Sequence, residues 1–300
     1  MKAKTRIAAL FIIAALMAFN MNIYFAQEMT LDKETESEKT EDVIIPVLMY
    51  HNIAETYPKG AEGANITPEL FEAHMLGILE RGYTPIFVAD YYNSVQKGES
   101  LPEKPIIVTF DDGYLSNYEI AYPILKKLDI PATIFVVTST VGATAESGVV
   151  GNSHFTWEQA REMQKSGVID IHSHSHTHRN MTMLSPAEVQ EELRLSRYLI
   201  ERNLNKSCFV FSYPFGGYNT ATSNLSKYAG YRMQILVNNA ESGEDYLANN
   251  TKEGIEHFTR LTISGDMSVE DLFGIIDLAV ENTKKQDGLR EIEKNLTKKS

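Results

Sequence analysis

Two acidic residues stand side by side at Asp111-Asp112, and His172, His174, His176 and His178 fall within seven residues of one another. Carboxylates and neutral imidazoles are the donor set of zinc sites, and the same set suits iron, cobalt or nickel. Adjacent carboxylates repel; a divalent cation can bind one and leave the other as a base. An Asp-Asp-Gly segment is also an ordinary surface turn. A merely solvated histidine loop is a weaker account, because half of the chain's 8 histidines are concentrated there. Two pairs have the i, i+4 spacing that puts both rings on one face of a helical turn: His174 with His178, and His172 with His176. Spacing alone does not choose between them. Three protein ligands leave positions open for water and substrate, as in a catalytic centre.

Elements must bring these segments together. Short apolar runs at Ile44–Tyr50, Ile106–Phe110, Thr133–Val137, Val168–Ile171, Cys208–Phe211 and Arg232–Val237 read as strands. Helices fit between them. Thr67-Pro68-Glu69 supplies a cap followed by proline at the first helical position. Thr156-Trp157-Glu158-Gln159 and Ser185-Pro186-Ala187-Glu188 are capping boxes. Ser268 opens a last helix, with Leu272, Ile275, Ile276 and Ala279 at helical spacing. Alternating strands and helices predict a parallel sheet, and this many units predict an α/β fold of barrel type. Four polar clusters follow strands directly: Tyr50-His51-Asn52, Asp111-Asp112-Gly113, His172 to His178, and Ser212-Tyr213-Pro214-Phe215-Gly216. In a parallel barrel all strand C-termini share one mouth, so these distant segments are expected to converge.

The formal net charge of −12 over 300 residues excludes nucleic acid as an expected partner, since the chain would repel phosphate. It gives no reason for attachment to anionic lipid either. The single cysteine, Cys208, rules out an intrachain disulfide and reads as a buried hydrophobe. Residues 1–26, with Lys2, Lys4 and Arg6 before the apolar Ile7 to Phe19, form an export signal or an N-terminal membrane anchor. Residues 27–42 are an acidic flexible linker, 43–287 the catalytic domain, and 288–300 a polar tail of similar character. Nothing in the sequence fixes the oligomeric state.

Thr109-Phe110-Asp111-Asp112-Gly113 and Ser173-His174-Ser175-His176-Thr177-His178 resemble the first two motifs of the polysaccharide deacetylases, the NodB-homology or carbohydrate esterase 4 family. The likeness runs from about Ile44 to about Ile276 and includes Pro131-Ala132-Thr133-Ile134-Phe135 and Tyr213-Pro214-Phe215-Gly216. It implies a distorted (β/α) barrel of the NodB type. It implies Asp111 as catalytic base and Asp112, His174 and His178 as ligands of a divalent metal, zinc first, with cobalt, nickel or iron also suited. His172 and His176 then line or support the pocket. The backbone N–H of Phe215, or a neighbour in Tyr213-Pro214-Phe215, is implied as oxyanion donor. Implied substrates are acetylated glycans outside the cell, from which the enzyme, a hydrolase of non-peptide carbon–nitrogen bonds, releases acetate.

Two departures matter. Many members carry a late L-x-L-H motif whose histidine is the general acid; the last histidine here, His257, sits in Glu256-His257-Phe258 and does not match. Met49-Tyr50-His51 instead resembles the early M-Y-H motif of the poly-N-acetylglucosamine deacetylases, which implies His51 as the acid. Many members also orient the base with an arginine before the Pro-aromatic segment. Phe209 to Tyr213 holds none, and Arg260 is the candidate substitute. Without it, a catalytically weak or inactive glycan-binding protein is the alternative; an O-acetyl esterase of xylan type is another. A glycosidase needs its two carboxyls roughly 5 Å or more apart across a sugar bond, which adjacent aspartates do not readily offer.

Overall fold

The computed structural model describes residues 42–147, 151–237, 246–256 and 258–297. The expected export segment and nearly all of the acidic linker lie outside the described residues. Among the described residues no helix is long and apolar enough to cross a membrane.

Eight parallel strands form the main sheet: β1 (Val47–Tyr50), β2 (Thr84–Ile86), β3 (Pro105–Phe110), β4 (Ala132–Val136), β5 (Ile169–Ser173), β6 (Val210–Ser212), β7 (Met233–Ile235) and β8 (Leu261–Thr262). Their order is β7-β6-β5-β4-β3-β1-β8, with β2 beside the first half of β3. The sheet curls until its ends nearly meet. Ile235 of β7 bridges Phe258, and three residues on β8 pairs with Leu48 and Met49 of β1. The segment 258–262 is therefore the seam of a distorted barrel, as the family resemblance implies. Strands β2 and β8 escape a reading by pattern, because two or three residues, one of them Pro85, cannot display a period of two.

The helices are α1 (Pro68–Glu80), α2 (Val88–Lys97), α3 (Tyr122–Leu128), α4 (Trp157–Lys165), α5 (Pro186–Leu204), α6 (Thr220–Tyr228) and α7 (Val269–Thr297). Thr67, Thr156 and Ser185 accept the expected capping bonds from the backbone N–H groups of Leu70, Gln159 and Glu188. Residues 288–297, expected to resemble the linker, instead continue α7 without a break. Its Leu, Arg, Glu, Ile and Lys residues are good helix formers, and an established helix propagates through them at little cost.

Alternation along each strand separates two cores. Ile106, Val108 and Phe110 of β3 face the helices and join Leu48, Tyr50, Ile134 and Phe211. Ile107 faces the barrel interior with Val47, Phe135, Val210, Met233 and Phe258. By the same parity, Thr109 and Asp111 continue the interior row toward the mouth.

Candidate active site

Asp111 follows β3 with its side chain 2% exposed. Strand alternation would send Asp112 to the opposite face. Asp112 instead adopts φ 72°, the left-handed region, and Gly113 follows at φ 81°. The reversal brings both carboxylates to one mouth. Such a conformation in a non-glycine residue costs about 1–3 kcal/mol and persists only where its surroundings enforce it. Gly113 permits the turn for a second reason: a Cβ there would lie 3.2 Å from Val136 Cγ1.

The histidine loop leaves β5 and meets Asp112. His178 Nε2 lies 3.3 Å and His174 Nε2 3.7 Å from Asp112 Oδ1, and His174 Nε2 lies 3.5 Å from Asp111 Oδ2. The ligand atoms of Asp112, His174 and His178 fall within 4.8 Å of one another. His174 Nδ1 donates to the Ser212 carbonyl at 3.0 Å. A carbonyl can only accept, so Nδ1 carries the hydrogen and Nε2 turns its lone pair toward the two carboxylates. Burial pushes His174 below the ordinary imidazole range despite the raising pull of Asp111 and Asp112, which keeps the ring neutral at pH 7. Asp112 Oδ1 is buried and receives no hydrogen bond. A buried, unbonded carboxylate oxygen beside the ring nitrogens of two histidines is a donor set that a divalent cation satisfies. The residues present therefore fit a divalent metal.

His172 and His176 do not join this cluster. His172 is fully buried, 3.1 Å from Asp170 Oδ2 and edge-on to Phe209. His176 Nδ1 bonds the Thr138 hydroxyl at 2.9 Å.

Arg260 enters from the barrel seam, completely buried. Its Nη1 donates to Asp111 Oδ1 at 2.6 Å and Nη2 to Oδ2 at 2.7 Å. Nη1 also donates to Thr109 Oγ1 and Nη2 to Ser212 Oγ. Burial alone would raise the Asp111 carboxyl. Arg260 above all, with His174 and His51, holds it far below the usual carboxylate range. His51 follows β1 with the same interior parity. Its carbonyl accepts from Asn117 Nδ2, and its Nδ1 is buried without a partner.

Tyr213 and Pro214 are buried beneath the rim. The Tyr213 hydroxyl donates to Gln234 Oε1, and its N–H to the Ile235 carbonyl. That ring is core and offers no face to a sugar. Pro214 has no N–H, so of the three Phe215 is the one with an amide to offer. Phe215 sits at φ 58°, 65% exposed, its ring 4.6 Å from that of His178.

Sequence reasoning placed Ser212 in a cluster at the mouth without giving it a role, though it bonds both His174 and Arg260, and passed over Glu192, whose carboxylate accepts from the His176 and Thr177 N–H groups. It also missed His154, whose ring lies 5.0 Å from that of Tyr114 and whose pKa burial lowers against the raising pull of nearby Asp112. A serine, a helix glutamate and a lone loop histidine carry no spacing signal.

The profile of the polysaccharide deacetylase family matches residues 98–234. YxkH of Bacillus subtilis (strain 168), whose name puts it in that family, is 30% identical over 224 residues, 75% of this chain and 73% of its own. The poly-beta-1,6-N-acetyl-D-glucosamine N-deacetylase of Escherichia coli (strain K12) is 29% identical over 226 residues. That match takes in 64% of this chain but only 32% of the larger relative. Among solved structures, Streptococcus pyogenes deacetylase PplD in complex with acetate aligns with a TM-score of 0.67 at 27% identity. The alignment covers 78% of this chain and 98% of PplD.

Proposed function

The chain belongs to the polysaccharide deacetylase family, a family of hydrolases acting on amide bonds, and on that premise we propose that it removes N-acetyl groups from an N-acetylglucosamine-containing glycan outside the cell, releasing acetate. The observation that carries this reading is the Asp112-His174-His178 cluster beside an Asp111 gripped by Arg260.

Asp112, His174 and His178 would hold the divalent ion, zinc by donor set, with cobalt, nickel or iron as alternatives. When bound, such an ion polarises a carbonyl and acidifies water. Asp111 takes the proton from the attacking water. Arg260, itself held by Thr109 and Ser212, fixes the carboxylate so that its orientation does not drift. The Phe215 N–H stabilises the oxyanion as the carbonyl becomes tetrahedral. An amine leaves only when protonated, and His51 supplies that proton.

The location outside the cell rests on the basic and apolar residues at the N-terminus, and the glycan on the poly-N-acetylglucosamine substrate in the name of the Escherichia coli relative. The acetate held by PplD is the product that this reaction would release. The reading as an inactive glycan binder drew on the missing motif arginine and the absent late histidine; the Arg260 contacts to Asp111 weigh against the first of these. Acetate release across a panel of acetylated glycans tests the proposal, with Asp111→Ala and Asp112→Ala as controls. A zinc-loaded protein that releases acetate from none of them, or equally from the Asp111→Ala variant, defeats it.

A further inference from the structure

The loop that carries His174 and His178 is stretched into two left-handed residues, Ser175 at φ 71° and His178 at φ 59°. One flank is tied to the segment after β4, where Thr138 and Ser139 N–H groups donate to the Ser175 and His176 carbonyls at 3.2 and 2.9 Å. The other flank offers consecutive backbone N–H groups, those of His176 and Thr177, to a single acceptor. That acceptor is Glu192 Oε2, at 2.9 and 2.8 Å. Successive amides pointing the same way form a backbone nest, a concavity that binds an anion. Here the anion is a side chain of the protein itself, sent from the middle of α5.

The second oxygen is equally committed. Glu192 Oε1 accepts from the Thr177 hydroxyl and from Arg179, whose Nη2 lies at 3.0 Å and Nε at 3.3 Å. The carboxylate is 2% exposed. Burial would raise its pKa, but the Thr177, Arg179 and His176 donors outweigh burial and hold it below the ordinary range, so it is charged at neutral pH.

We infer that Glu192 is a positioning residue of the metal centre: it locks the His176-Thr177 amides between the two histidine ligands and thereby sets how tightly the site holds its ion. The inference rests on the metal-centre reading above. Glu192 touches neither substrate nor ion; it acts through the loop. Without it, two consecutive backbone amides lose their acceptor, and the left-handed turn at His178 loses a restraint. Partners that orient metal ligands in this way are each worth about ten- to hundredfold in metal affinity.

The experiment is a zinc competition titration of full-length apo-protein against a chromophoric chelator. Wild type is compared with Glu192→Ala, Glu192→Gln and Arg179→Ala, and cobalt absorption spectra are taken on the same samples. Glu192→Ala is expected to bind zinc about ten- to hundredfold more weakly and to shift the cobalt spectrum, while melting as one cooperative transition. Arg179→Ala keeps the carboxylate on both amides and is expected to stay close to wild type. Glu192→Gln retains one acceptor oxygen and falls between; it decides the matter if the alanine variant does not fold. Wild-type affinity and an unchanged cobalt spectrum in Glu192→Gln and in a folded Glu192→Ala overturn the inference while leaving the metal centre standing. A wild type that takes up no zinc overturns the metal-centre reading, and this inference with it.

Discussion

The Arg260 guanidinium grips both carboxylate oxygens of Asp111 across 149 residues of sequence, with neither side chain more than 2% exposed. Removing one partner of such a pair strands the other. Arg260→Ala should destabilise the protein by about 3–5 kcal/mol in denaturant unfolding.

The same substitution should change the pH profile. Asp111 is depressed in the folded protein, so its stabilisation is present above the unfolded value of about 3.9 and is lost as pH falls through its folded value. With the guanidinium gone, burial dominates and the carboxyl titrates higher. The acid limb of kcat/KM should therefore move to higher pH in Arg260→Ala. An acid limb in the wild-type position would mean that Arg260 does not govern the base.

His51 is the proposed acid for a leaving amine. His51→Ala should lower hydrolysis of an N-acetyl sugar by about 10²–10⁴-fold. An aryl acetate, whose leaving group needs no proton, should be hydrolysed at close to the wild-type rate. Equal losses on both substrates would put His51 elsewhere in the mechanism.

His178 is the most accessible of the three proposed ligands, 31% exposed against 13% for Asp112 and 4% for His174. Chelation should enter from its side and abolish acetate release, with recovery on adding zinc back. Zinc at a hundredfold excess over its Kd should stabilise wild type by about 2.7 kcal/mol and His178→Ala by less. Thermal melts with and without zinc measure the difference.

Cys208 is fully buried, and burial pushes its thiol up to about 12. At pH 8 the thiolate is scarce and inaccessible. A thiol reagent should leave Cys208 untouched in the native protein and modify it once denaturant unfolds the chain. Rapid native labelling, followed by absorbance, would contradict this.

Asp111, Asp112, His174 and His178 were legible because their chemistry is written into adjacent residues and placed at strand ends. Parallel strands bring those ends together whatever the intervening sequence. Spacing left the two histidine pairs equal; the Nδ1 bond from His174 to the Ser212 carbonyl and the αL turn at His178 are tertiary facts that separate them. Arg260 could be named as a candidate orienting arginine but not placed against Asp111, since that contact depends on how the barrel closes. Glu192 was invisible for a similar reason. It sits on the buried side of α5 within an unremarkable glutamate-rich stretch, and its partners are backbone amides, which every residue possesses.

The short seam that closes the barrel also carries Arg260, between Phe258 at β7 and Leu261 at β1. A chain whose last staves have not yet met would thus have an unclamped Asp111, and hydrolytic competence would arrive only when the ring is shut. Closing the barrel and clamping the proposed base share a single latch.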